Sequence, residues 1–199
     1  MRVRSVLAVL LGLAALGCED TPPPAAGPGS SGGASSGSID PSTGPGAPLE
    51  GTAALIDLAA FEKTPHTEDP FDRPPDVECD FGFGLEDGFF EVETDLCHHG
   101  AFMQPLLAPV RVGDTLDFLL LHENLVSADP DAQTHLAIAF GDDVVFETTI
   151  DIPAEANFLD PSWTSSVDAP AGTPVYLHLH NHGINSYRVA DLSVTYAEP

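Results

Sequence analysis

Residues 175–185 read VYLHLHNHGIN, and this stretch decides the fold class of the chain. Side chains alternate between the two faces of a β-strand, so the apolar residues at the odd positions are predicted to point into a core. His178, His180 and His182 are predicted to point the other way, which places three of the 8 histidines of the chain on one face. Gly183 then indicates a turn after the strand.

Further strand patterns lie downstream of residue 79 and are separated by turns that contain Gly, Pro or Asp. These segments are 88–94, 115–122, 134–140, 144–150 and 188–196. Helical periodicity is nearly absent from this part of the sequence. About seven or eight short strands predict an all-β fold, an antiparallel β-sandwich or jelly roll, as a single domain over residues 51–199.

Three segments carry more specific expectations. The near-continuous apolar run of residues 115–122 predicts a strand that is buried on both faces. Residues 55–61 fit either a short helix or a strand, because their periodicity does not distinguish the two. The glycine-rich residues 82–88 predict a packed bend rather than a phosphate-binding loop, since their spacing is wrong and they contain two carboxylates.

The charge balance excludes some classes of partner. The chain has 199 residues, with 31 acidic residues against 6 basic ones and a formal net charge of −25. Such a chain repels nucleic acids and anionic lipid head groups, and it tolerates cations, including metal ions and basic partners. The hydrophobic content of 43% is sufficient for a packed core.

The N-terminal residues have the pattern of an export signal. Arg2 and Arg4 precede a short apolar run, which ends in Ala15-Leu16-Gly17-Cys18. This ending resembles the lipobox of bacterial lipoproteins, in which small residues precede an invariant cysteine. The resemblance implies a signal peptide over residues 1–17, cleavage before Cys18 and lipidation of its thiol. It therefore implies a location in the bacterial cell envelope, with the protein anchored to a membrane and the domain in the periplasm or at the cell surface.

Residues 18–50 are predicted to be a lipidated cysteine followed by a disordered linker. The segment is rich in Gly, Pro and Ser and is poor in the apolar residues that could offset the entropy of ordering it. The linker is expected to hold the folded domain away from the membrane. Residues 178–185 are also similar to a stretch of bacterial lipoproteins, a resemblance that implies no activity.

The cysteines support the same compartment. If Cys18 carries lipid, Cys79 and Cys97 remain, and a pair of cysteines in an exported domain is expected to form a disulfide. The alternative is a thiolate metal site that includes His98 or His99, which directly follow Cys97.

The histidines form the candidate site. His178, His180 and His182 are close enough along one strand face to converge on one ion, and His122 is predicted to approach if its strand pairs nearby. His98, His99 and His135 are further candidates. Imidazole nitrogens suit zinc or copper. Adjacent acids, such as the pair at 142–143, are candidate ligands of a structural calcium ion.

Three functional hypotheses follow from these patterns. The first is an acidic β-sandwich module on an envelope lipoprotein that binds an unidentified ligand or protein, with the histidines supporting the turn. The second is a zinc or copper binding protein that uses the histidine strand. The third, a metalloenzyme on the same residues, has the least support, because no nucleophile or acid–base set is assembled in the sequence.

Overall fold

The computed structural model describes residues 49–71 and 79–198, and their strands form two antiparallel sheets. The predicted signal peptide, Cys18 and the predicted linker up to residue 48 lie outside the described residues. A 3-10 helix spans His66–Glu68. The strands are β1 (Thr52–Ala54), β2 (Glu62–Lys63), β3 (Phe83–Glu86), β4 (Phe89–Glu93), β5 (His99–Pro105), β6 (Thr115–His122), β7 (Gln133–Phe140), β8 (Asp143–Asp151), β9 (Asn157–Leu159), β10 (Ser162–Thr164), β11 (Pro174–Asn181) and β12 (Ser186–Thr195).

The seven-stranded sheet is organised around β12. Its order is β10-β6-β12-β4-β3, while β1 pairs with β12 and β9 pairs with β6. Val189 of β12 lies opposite Phe90 of β4 and Leu120 of β6, and all three side chains are buried. This face of the sheet therefore forms one side of the core.

The five-stranded sheet has the order β2-β5-β11-β7-β8, so the histidine strand β11 is its central member. In this register His180 lies opposite His99 on β5 and His135 on β7. His178 lies opposite Ala101 and Ala137, whose small side chains leave room above the sheet.

The two sheets pack face to face through large apolar side chains. Phe90 of β4 meets Phe102 of β5 edge-on, with ring centroids 5.0 Å apart. Both rings are buried, and such an aromatic pair adds about 0.5–1.5 kcal/mol beyond its burial of apolar area. A polar contact joins the sheets as well, since the Tyr187 hydroxyl on β12 donates a 3.0 Å hydrogen bond to Asn181 Oδ1 on β11.

The prediction of an all-β antiparallel sandwich is confirmed. The predicted strand 115–122 coincides with β6, and the predicted strands 134–140 and 144–150 lie within β7 and β8. The predicted strand 188–196 matches β12 to within two residues at each end. The short strands β1, β2, β9 and β10 were not predicted, because runs of two or three residues carry no readable alternation.

Three local predictions need correction. Along β6, buried residues alternate with half-buried ones, so only one face is fully buried, because the other lies on the outside of the sandwich. Residues 55–61 form neither a helix nor a strand. They cross between the sheets, held by Asp57, which exchanges two hydrogen bonds with the side chain of Gln104. Residues 82–88 contain β3 and a tight turn to β4, in which Asp87 and Gly88 have positive φ.

The predicted disulfide is confirmed, since Cys79 and Cys97 are bonded and both are fully buried. Cys97 directly precedes β5, where Gly100 lies so close to the bond that a Cβ atom would be 3.1 Å from Cys97 Sγ and 2.6 Å from the Phe102 ring. The thiolate metal site that was the alternative is therefore wrong, because neither sulfur is a thiolate. Among the described residues, no helix combines the length and the apolar character needed to cross a membrane.

Removal of the disulfide is expected to destabilise the domain. The Cys79→Ala/Cys97→Ala variant should lose about 3 kcal/mol of unfolding free energy, because the bond closes a loop across a separation of 18 residues. Urea denaturation measures the loss, and the wild-type chain in dithiothreitol serves as the matched control. An unchanged midpoint in both samples would contradict this role.

Candidate functional site

The outer face of the five-stranded sheet carries a group of histidines. On β11 the residues Val175, Leu177 and Leu179 belong to the core, so the alternating side chains of His178 and His180 point away from it. The predicted alternation of this strand is therefore correct. Because β11 is central, its outward histidines lie between those of its neighbours rather than at an edge of the sheet.

Residues 64–71, the covering segment, pass over this face after β2. The segment begins with a 2.8 Å hydrogen bond from the Thr64 backbone amide to the Ala101 carbonyl. It ends with the ring of Phe71 above His178, at a centroid distance of 4.4 Å. The cover explains why His178 is only 2% exposed and His99 only 1% exposed, although both point away from the core.

The covering segment also brings a carboxylate to the two buried histidines. One ligand atom each of Asp69, His99 and His178 lies within 4.8 Å of the other two. The rings of His99 and His178 meet edge-on at 5.0 Å. Asp69 is held in place by its neighbour, since Asp69 Oδ1 accepts a 3.0 Å hydrogen bond from the Phe71 backbone amide. These three residues, of which the two histidines are buried and Asp69 is half-buried, are called the buried triad below.

Tyr176 on β11 lies close enough to the carboxylates of the covering segment for them to affect its pKa. Burial raises the pKa of Tyr176, and the nearby carboxylates of Glu68, Asp142 and Asp69 raise it further. Tyr176 therefore keeps its proton at neutral pH and presents a neutral hydroxyl beside the site.

Three more histidines surround the buried triad. His180 stacks on His99 at 4.5 Å, and the ring of His135 lies 5.1 Å from that of His178. His135 Nε2 also donates a 2.8 Å hydrogen bond to Glu147 on β8. His182 follows the strand and is exposed, with its Nε2 atom 2.9 Å from that of His180.

His180 is neutral at neutral pH. Burial lowers its pKa, and the nearby rings of His182 and His135 lower it further, because a second positive charge beside them would be repelled. A neutral imidazole is the form that binds a metal ion, since the nitrogen lone pair is then available.

His122 does not join this group. It lies at the end of β6 with its side chain on the core face of the other sheet, 2% exposed and with its ring 6.0 Å from that of Tyr187. Its Nδ1 atom is 2.9 Å from the carbonyl oxygen of Glu123. The expectation that His122 approaches the histidine strand is corrected. His122 is on β6 of the seven-stranded sheet and points into the core, whereas His178 and His180 are on β11 of the five-stranded sheet and point away from the core.

The sequence predicted only part of the site. His178 is in the buried triad, whereas His180 and His182 lie beside it. His99 was a secondary candidate, and the structure places it in the triad because β5 pairs with β11. Asp69 was missed, since it lies in an irregular Pro-rich segment that has no periodic signal.

A polar network supports the turn after β11. The buried Asn181 side chain accepts hydrogen bonds from Thr134 and Tyr187 and donates one of 2.5 Å to the Gly183 carbonyl. Gly183 packs so tightly that a Cβ atom would lie 2.8 Å from Ile152 Cδ1 and 2.9 Å from the Val126 carbonyl oxygen. The turn that positions His182 is therefore fixed by specific contacts.

Two further groups of acidic side chains make contacts within the domain. Asp129 Oδ1 accepts a 3.0 Å hydrogen bond from the Asp131 backbone amide, which closes a local turn. Glu86, Glu91 and Glu93 have carboxylate oxygens within 4.8 Å of one another. Arg188 binds the buried Glu91 at 3.1 Å, so part of the negative charge of that cluster is already neutralised.

Comparisons with known proteins identify no family and give structural matches of low similarity. The sequence matches no protein-family model and no curated protein. A xylan-binding module matches with a TM-score of 0.47 and 8% identity, over 75% of this chain and 99% of that one. The N-terminal cellulose-binding domain of Cellulomonas fimi β-1,4-glucanase C matches with a TM-score of 0.46 and 10% identity, over 77% of this chain and 100% of that one. Similarity at this level says nothing about the ligand of this chain.

Removal of the Phe71 ring is expected to expose His178. In Phe71→Ala, diethyl pyrocarbonate should modify His178 faster than in the wild-type chain, because the ring that covers the imidazole is gone. Peptide mass spectrometry after timed exposure measures the rate at each histidine. Phe158→Ala, which removes a 64% exposed ring on β9, is the control. Equal rates at His178 in all three chains would show that Phe71 does not cover it.

Proposed function

We propose that this chain is a lipid-anchored envelope protein whose β-sandwich binds a divalent transition-metal ion, zinc or copper, at the buried triad. The observation that carries the proposal is the meeting of a carboxylate and two buried imidazoles, with ligand atoms within 4.8 Å of one another. Two nitrogens and one oxygen are the donor set of a typical catalytic or transport zinc site, which leaves further positions open.

The geometry requires only a small closure around an ion. With metal–ligand bonds of about 2.0–2.1 Å, the ligand atoms of a tetrahedral site lie about 3.3–3.4 Å apart. The triad atoms therefore need to approach by at most about 1.5 Å, which side-chain rotation can supply. Asp69 is on the covering segment, so closure moves a loop residue toward two residues that the sheet holds in place.

The electrostatics of the site favour a cation. Desolvated imidazoles beside a carboxylate are stabilised by a bound positive charge, because the interior screens charge poorly. The basic side chains in the described residues are Lys63, Arg111 and Arg188, and each forms an ion pair with an acid. The field around the domain is therefore dominated by its acids and attracts divalent cations.

Zinc binding is expected to depend on His178. His178→Gln removes one ligand while keeping a polar side chain of similar length, and it should weaken zinc binding at least about tenfold. Competition with a chromophoric chelator measures the affinity. His122→Gln is the matched control, because His122 has the same 2% exposure but lies on the other sheet. Circular dichroism and the melting temperature establish that both variants are folded.

Two results would contradict the metal proposal. One is a wild-type chain that holds no stoichiometric zinc or copper after gel filtration. The other is an equal loss of affinity in His178→Gln and His122→Gln. Either result would favour the competing account, in which the triad fixes the covering segment to the sheet without an ion and the domain binds some other ligand.

Attachment to the membrane is expected to depend on Cys18. Cys18→Ser removes the thiol that would carry lipid, and stable anchoring needs acyl chains of this kind because a weaker hydrophobic attachment is reversible. The variant should move from the membrane pellet to the supernatant after ultracentrifugation, whereas the neighbouring Thr21→Ser should stay in the pellet. A Cys18→Ser chain that still sediments with membranes would rule out the lipid anchor.

A further inference from the structure

The half-buried His180 and the exposed His182 beside the triad form a second arrangement of ligand atoms. His180 and His182 bring their Nε2 atoms to 2.9 Å from each other, with rings at 75° and centroids 4.6 Å apart. His182 is exposed and follows the last residue of β11, so this pair faces solvent. The pair is called the histidine port below.

The spacing of the port suits a different ion geometry from that of the triad. Two nitrogens at about 2.0–2.1 Å from one ion are about 2.9 Å apart when the angle between them is about 90°. A right angle is found in square-planar and tetragonal copper(II) sites, whereas a tetrahedral ion needs nitrogens about 3.3–3.4 Å apart. The two port nitrogens share a hydrogen bond, so copper(II) binding requires the shared proton to leave and both rings to turn toward the ion, while their 2.9 Å separation already suits a right-angled site.

The port is continuous with the buried triad. The ring of His180 stacks on that of His99 at 4.5 Å with an angle of 22° between the planes, and His99 in turn meets His178 at 5.0 Å. The cross-strand register places His180 directly opposite His99. A row of imidazoles therefore leads from solvent at His182 to the covered position at His178, with no break in ring contact.

We propose that the histidine port captures copper(II) from solvent and passes it to the buried triad. This inference rests on the proposed metal binding at the triad. The transfer is a ligand exchange, in which a bond from the ion to His182 breaks as a bond to His99 forms, and the oxidation state of the ion does not change. The ring of Phe71 covers His178, whereas His180 is half-buried and His182 is exposed, so the port holds the imidazoles of the row that solvent reaches most easily.

The first experiment tests the port without the triad. A full-length Asp69→Asn/His178→Gln chain receives an equimolar amount of copper(II) sulfate, and electron paramagnetic resonance reports the nitrogen ligands. The expected spectrum contains splitting from two imidazole nitrogens. Adding His182→Ala should abolish that pattern, whereas adding His98→Ala, which also removes an exposed histidine, should not. A spectrum that His182→Ala leaves unchanged would overturn the port.

The second experiment tests delivery. Stopped-flow absorbance follows the movement of copper(II) into the triad of the otherwise wild-type chain. His182→Ala should slow this step at least about tenfold, because it removes a ligand, while the copper held at equilibrium stays the same. An unchanged rate would overturn delivery. A chain that never loads the triad but keeps the two-nitrogen signal of the port would instead contradict the proposed function.

Discussion

The pairing of β11 with a strand on each side is the constraint on which the candidate site depends. Antiparallel hydrogen bonding to both β5 and β7 fixes the register of the strand, and a slip of one residue would turn every side chain to the opposite face. The apolar residues of β11 are committed to the core between the sheets. Its histidines must therefore point outward, and they must lie opposite the histidines that β5 and β7 present at the same level.

Register alone would give an exposed row of histidines on the surface of a sheet. The covering segment changes the chemistry of that row, because it excludes water from His99 and His178 and adds the carboxylate of Asp69. This segment directly follows β2, and its first residue, Thr64, is held to β5 by the hydrogen bond from its backbone amide to the Ala101 carbonyl.

The row of histidines has two kinds of position: His178 and His99 are covered, and His182 is open to solvent. His178 and His99 lie in a dry environment, where electrostatic interactions with an ion are strong and exchange with solvent is restricted. His182 lies in water, where exchange is fast and binding is weak. The covered and the open positions are in contact through the ring of His180.

The sequence was informative where the signal was local. Alternation and turn residues identified β6, β7, β8, β11 and β12, and the number and expected compartment of the cysteines predicted the disulfide. Which residues meet in the site depends on which strands become neighbours. The alternation of apolar and polar residues along one strand does not reveal the neighbours of that strand. His122 ends a predicted strand and His99 lies in no predicted strand, yet His99 is the one on a strand next to β11. Asp69 reaches the site through a loop, whose path follows from tertiary packing alone.

The central claim is that the buried triad holds a metal ion. X-ray diffraction from crystals grown with zinc, measured on both sides of the zinc absorption edge, tests it most directly. The account predicts an anomalous peak about 2.0–2.2 Å from one nitrogen each of His99 and His178 and from a carboxylate oxygen of Asp69. Zinc bound elsewhere on the surface, with no anomalous density inside the triad, would contradict it.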